Sequence, residues 1–98
     1  MSLVLEADVE LVPTSYFERR IQRFRRVHPD LDDELAKLFA DLERDPFQPR
    51  LRFHRLTGRL AGLGAVRLTY DIRVIFQIDS EASVITFVNI GSHEEVYR

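Results

Sequence analysis

The strongest constraint on this chain is a change of hydrophobic period part-way along it. Phe17, Ile21 and Phe24 recur at i, i+4 and i+7. After a break at residues 27–30 (VHPD), Leu31, Leu35, Leu38, Phe39 and Leu42 resume the same rhythm. That spacing puts each set on one face of a helix. Beyond Pro49 the apolar residues change type. Residues 65–78 (AVRLTYDIRVIFQI) and 84–90 are rich in β-branched and aromatic side chains, which fit a pleated surface. Helices in one block and strands in the next, within 98 residues, predict a single α+β domain over residues 1–98.

The elements follow from local chemistry. Residues 3–12 alternate loosely and predict a first strand ending near Pro13. Thr14 or Ser15 caps the first helix, and Ser15 with Glu18 has capping-box spacing. Asp30, Asp32, Asp33 and Glu34 open the second helix, where the macrodipole favours negative charge. Pro46 ends it at Asp45. Residues 51–56 predict a short extended piece, followed by a glycine-containing loop. Residues 65–78 are long for one strand, so a turn is expected near residues 69–71, with a second turn at residues 79–83. Residues 84–90 are apolar on both faces and predict a central strand. His93 to Tyr97 read as a short tail. The expected order is β-α-α-β-β-β, a small antiparallel sheet with a helical hairpin on one face.

Composition narrows the function. The chain has no cysteine, which excludes disulfides, thiolate zinc sites and a cysteine nucleophile and fits a reducing cytoplasm. No apolar run approaches the ~20 residues of a membrane span. The start, MSLVLEADVE, lacks the basic lead-in of a signal peptide. Net charge is −2, but it is unevenly spread. Residues 1–49 hold seven basic and eleven acidic side chains, residues 50–73 six arginines and one acid, and residues 74–98 one basic and four acidic side chains. The middle block is a local cationic patch that attracts phosphate whatever the total charge.

No phosphate loop, dinucleotide fingerprint or paired-carboxylate motif is present, and His28, His54 and His93 lack metal-ligand spacing. Neither metal nor cofactor is expected. The C-terminal half instead gathers His54, Arg55, Arg59, Arg67, Asp71, Arg73, His93 and Tyr97 on or beside a small sheet. Metal-free RNA cleavage needs a base for the 2′-hydroxyl, an acid for the departing 5′-oxygen and a cation for the phosphorane-like transition state. Histidine serves as acid or base near neutral pH. Arginine clamps phosphate. Tyrosine stacks on a base or bonds a phosphate.

Three motifs carry a family resemblance: H-x-L-x-G at residues 54–58, R-x-x-x-D from Arg67 to Asp71 leading into a D-I-R-V-I-F strand, and I-G-S-H-E-E-V-Y at residues 90–97. With them the chain resembles the YafQ-like branch of the RelE/ParE toxin superfamily over nearly its whole length. The resemblance implies a toxin of a type II toxin–antitoxin system, a ribosome-dependent mRNA endonuclease neutralised by a cognate antitoxin. It implies His93 as the principal proton carrier and His54 as a second acid/base or phosphate ligand. It implies Arg67 as transition-state stabiliser, Asp71 as an acid near the site and Tyr97 as a substrate contact. Arg55, Arg59 and Arg73 add substrate-binding charge. Two positions depart from the pattern: Ile72 stands in place of a tryptophan, and Arg67 in place of a histidine.

Other readings stand beside these. His28 suits a turn before proline. Tyr97 suits the core as well as a substrate contact. Arg67, Asp71 and Arg73 suit a cross-strand charge network of ~0.2–1 kcal/mol per pair. The arginines of residues 19–26 suit a solvated helix face. As alternatives to the nuclease, the same architecture serves a ParE-like binder of DNA gyrase, or an inactive relative that only binds its antitoxin.

Overall fold

The computed structural model describes residues 9–97. Strand β1 (Glu10–Pro13) leads into α1 (Ser15–Val27) and α2 (Asp32–Arg44). Then come β2 (His54–Arg55), β3 (Gly64–Arg67), β4 (Ile72–Asp79), β5 (Val84–Ser92) and a final short helix α3 (His93–Val96). Residues 3–8 of the expected first strand lie outside the described residues.

The α+β class is as read from the sequence; beyond the expected β-α-α-β-β-β order the chain adds helix α3 and a fifth strand to the sheet. The sheet order is β1-β5-β4-β3-β2. The last four strands pair antiparallel, but β1 runs parallel to β5. The long helical crossover between β1 and the meander makes that parallel pairing possible. Strand β5 is interior, as its two apolar faces predict. Residues 51–56 are mostly not strand. Pro49–Leu51 forms a 3-10 turn, Arg52 takes a left-handed conformation at φ 54°, and only His54 and Arg55 pair with β3.

Helix α1 is capped by Thr14, whose hydroxyl accepts from the Phe17 N–H at 3.1 Å. Ser15 is therefore inside the helix, and the expected Ser15–Glu18 box does not form. Arg25 reaches across the interhelix turn to both carboxylate oxygens of Asp32, at 3.1 and 3.2 Å. The helices cover one sheet face. Phe17, Phe24, Leu35, Leu38 and Leu42 pack there on Val66, Ile72, Val74, Phe76, Ile85, Phe87 and Ile90. Burial of this apolar surface supplies most of the driving force for folding.

Alternation along each strand sends the neighbouring residues to the opposite face. There a smaller core of Ala65, Ile75 and Val96 forms, flanked by Leu56, Leu63, Val88 and Tyr97. Helix α3 closes one end of this second face, and the polar site builds around it.

Candidate functional site

Helix α3 orients the chain's end. Ser92 accepts from the Glu95 N–H at 3.2 Å, and the Glu95 carboxylate accepts from the Ser92 N–H at 2.8 Å. This reciprocal capping box satisfies two otherwise orphaned donors. The Ser92 N–H bond, with help from Arg20 and Arg23, holds the Glu95 carboxyl below its usual range despite partial burial. Buried Val96 anchors the helix to Ala65 and Ile75. The expected tail is therefore a helical turn, and its S-x-x-E signal lies in the sequence at Ser92–Glu95.

That turn sets His93 and Tyr97 side by side, ring centroids 4.4 Å apart and edge to face. The Tyr97 hydroxyl in turn lies 3.4 Å from His54 Nε2. Strand β2 brings His54 there, because His54 pairs with Ala65 on β3. The other ring nitrogen, His54 Nδ1, faces the Arg52 carbonyl at 3.4 Å. Two histidines 39 positions apart thus meet through one tyrosine. Burial pushes the Tyr97 hydroxyl up in pKa, and the nearby Arg73 guanidinium pulls it partly back.

Beside this cluster lies an open cleft of about 460 Å³, lined by His54, Arg55, Leu56, Thr57, Arg59, Leu60 and Tyr97. Arg55 also lies over the Phe53 ring, 5.6 Å from its centroid. Arg67 and Arg73 are paired across β3 and β4; alternation puts Arg73 with Ile75 on the face opposite the helices, while Arg67 lines a cavity with Glu34, Lys37, Leu38 and Asp41 of α2. Arg73 is braced by the carbonyls of Tyr70 at 2.9 Å and Thr69 at 3.3 Å. Arg67 does not line the His54–Tyr97 cleft. Its guanidinium sits 5.6 Å from the Tyr70 ring centroid, and its Nε is buried with no hydrogen-bond partner among the described residues.

Asp71 contributes through its backbone. Its carbonyl accepts from the His93 N–H at 2.9 Å, while the residue itself is exposed and forms no ion pair among those described. The cross-strand charge network of Arg67, Asp71 and Arg73 is therefore not formed. Ile72 is 7% exposed and packs in the helix-side core, so that position offers no surface to a nucleobase. Arg50, from the same cationic block, is paired with Asp41 at 2.7 Å.

Helix α1 supplies a residue that the sequence reading assigned to a solvated face. Arg20 is not a solvated face residue. It donates from Nε to Asn89 Oδ1 at 3.1 Å and from Nη2 to the Ile90 carbonyl at 3.0 Å, and it stands 3.8 Å from Glu95. It ties the helical layer to the β5–α3 junction that carries His93. Its position off the apolar stripe made it look free. His28, by contrast, packs on Phe24 with centroids 4.6 Å apart, as a structural turn residue does. Among the described residues no three His, Asp or Glu side chains gather as a metal-ligand group. No helix among them is long and apolar enough to cross a membrane.

Solved structures share this architecture. The chain is similar to YafQ in the Escherichia coli DinJ–YafQ toxin–antitoxin complex, with a TM-score of 0.76 and 16% identity over 93% of this chain and 99% of that one. It is similar to a metal-bound toxin from Helicobacter pylori, with a TM-score of 0.73 and 24% identity over 90% and 98%. It is also similar to a chain of the RelBE2 toxin–antitoxin complex from Mycobacterium tuberculosis, with a TM-score of 0.70 and 21% identity over 88% and 99%. At these identities the likeness establishes the fold. No curated protein matches by sequence. Residues 9–98 match the family model described as the YafQ bacterial toxin of a type II toxin–antitoxin system. This chain therefore belongs to the YafQ family of type II toxin–antitoxin toxins.

Proposed function

We propose that this toxin cuts mRNA on the ribosome, without a metal, by attack of a ribose 2′-hydroxyl on the adjacent phosphate. The observation that carries the reading is the contact chain from His54 through Tyr97 to His93, beside a cleft that Arg55 and Arg59 line. As the 2′-oxygen bonds to phosphorus, a base removes its proton. The bond from phosphorus to the 5′-oxygen breaks, and an acid protonates that oxygen. His54 and His93 are the proton carriers. Arg73, with Arg67 on the paired strand, stabilises the charge that builds on the phosphorane. Tyr97 hydrogen-bonds a phosphate oxygen between the two rings. Arg55 and Arg59, along the cleft, take flanking phosphates. Asp71 positions His93 through its carbonyl.

The partner follows from the same surface. A cognate antitoxin with an acidic segment would fold over the arginine-bearing face and compete with RNA there. The solved antitoxin complexes of similar fold support such a partner. Ribosomes as the site of action place the protein in the cytoplasm.

The test is direct. Purified protein is added to translating ribosomes, and mRNA ends are mapped by primer extension. Cleavage is expected with the wild type and is expected to vanish in His93→Gln and His54→Ala proteins of unchanged circular dichroism. Intact mRNA with the wild type, combined with inhibited supercoiling by purified gyrase, would replace the nuclease with a binder of the ParE kind.

A further inference from the structure

The tip of the hairpin between β3 and β4 carries the most exposed large hydrophobic side chain among the described residues. Tyr70 is 85% exposed. Single exposed aromatics are common and need no explanation alone, but this one is held and partnered. The turn beneath it is braced three times. Leu68 N–H donates to the Ile72 carbonyl at 2.9 Å, Ile72 N–H to Thr69 Oγ1 at 3.2 Å, and Arg73 to the Tyr70 carbonyl at 2.9 Å. The Arg67 guanidinium lies over the ring at 5.6 Å, a cation–π geometry. With one side so covered and the ring still largely exposed, a flat surface remains for a second partner.

The position is adjacent to the proposed chemistry. Asp71, the next residue, accepts the His93 N–H. The same Arg73 that braces the turn also influences the Tyr97 hydroxyl. An exposed aromatic on a braced turn, backed by guanidinium and one residue from the carbonyl that holds the His93 N–H, has the composition of a stacking platform for single-stranded nucleic acid.

We propose that Tyr70 stacks on a nucleobase next to the scissile phosphate and so helps set the substrate's register. This rests on the endonuclease reading, and it defines the substrate locally as unpaired RNA with an unstacked base.

The test uses the intact protein and a short single-stranded RNA made uncleavable by 2′-O-methylation, with binding followed by fluorescence anisotropy. Tyr70→Ala and Tyr70→Leu are expected to weaken binding by about 5- to 150-fold, the range of base–aromatic stacking. Tyr70→Phe and Tyr70→Trp are expected to bind within about threefold of wild type, because the ring is retained. A walking abasic site supplies the specific signature. One position should cost the wild type as much affinity as Tyr70→Ala does, and cost the Tyr70→Ala protein nothing. Equal abasic penalties in both proteins, or a Tyr70→Ala protein that binds and cleaves like wild type, overturn the stacking role while leaving the nuclease reading intact. A wild-type protein that neither binds this RNA nor cuts mRNA on ribosomes overturns both.

Discussion

The backbone N–H of His93 donates to the carbonyl oxygen of Asp71 at 2.9 Å. This bond joins the first residue of α3 to the turn between β3 and β4. It fixes where the chain's last histidine stands relative to the arginines of the hairpin. The Asp71 carboxylate takes no part in it. Asp71→Asn is accordingly expected to cleave within about threefold of wild type, the range of an exposed substitution. A loss of a hundredfold or more in single-turnover cleavage would return the carboxylate to the catalytic set.

In the proposed mechanism the histidines and Tyr97 divide the labour. His93→Gln is expected to lower the cleavage rate by about 10²–10⁴-fold, the usual contribution of a proton-transfer group. Tyr97→Phe keeps the ring against His93 and removes only the hydroxyl, so about a tenfold loss is expected, the worth of one hydrogen bond. Burial raises the Tyr97 pKa, so the folded state favours the protonated form. The associated stability is present below tyrosine's ordinary pKa of about 10 and is lost as pH rises through the raised value. Denaturant titrations above pH 10 should show this loss in the wild type and less of it in Tyr97→Phe.

The capping box of α3 makes an acid-side prediction. Glu95 has a depressed pKa in the folded state. Its contribution is therefore present above the ordinary glutamate value of about 4.3 and is lost as pH falls through the depressed one. Glu95→Gln should flatten that part of the acid unfolding profile. Ser92→Ala is expected to cost about 0.5–2 kcal/mol at neutral pH, the usual loss of an N-cap. Urea midpoints for both variants, read with cleavage rates, will show whether α3 frays locally and takes His93 out of place.

Arg20 anchors α1 to the β5–α3 junction through the Ile90 carbonyl and Asn89. Arg20→Met keeps an apolar stem and deletes the charged donors. It is expected to lower stability by about 1.5–3 kcal/mol, the range for hydrogen bonds made by a charged group. Activity is expected to fall although Arg20 lies outside the His54–Tyr97 cleft. An Arg20→Met protein with wild-type urea midpoint and full activity would dismiss the anchor.

Gly64 faces the Phe53 ring so closely that a Cβ there would collide with its edge. Gly64 also pairs with Arg55 on β2, next to His54. Gly64→Ala is expected to cost about 1–3 kcal/mol through overpacking. It should also reduce cleavage by shifting β2. Thermal unfolding and cleavage measured on the same preparation test the two effects together.

Much of the fold was legible because it rests on local rules. The helix stripes, the proline stop before Pro46 and the turns at residues 69–71 and 79–83 all follow from spacing and residue type. Where local signals competed, the reading slipped. Thr14 took the cap that Ser15 and Glu18 also advertised, and the real box at Ser92–Glu95 sat unread in a segment taken for a tail. The short stretch after Pro49 looked extended by composition. Its 3-10 turn and the left-handed Arg52 left only two residues for the sheet.

The sequence by itself determined the α+β class, the two helices with their breaks, and the arginine-rich block. Those follow from periodicity and residue chemistry, which act over a few positions. Only the tertiary structure decided which residues meet. Pairing of β2 with β3 and the docking of Val96 bring His54 and Tyr97 within 3.4 Å. The same packing turns Ile72 inward, leaves Tyr70 in solvent, and engages Arg20 instead of exposing it. Contacts between residues dozens of positions apart depend on how layers pack, and no local pattern encodes that geometry.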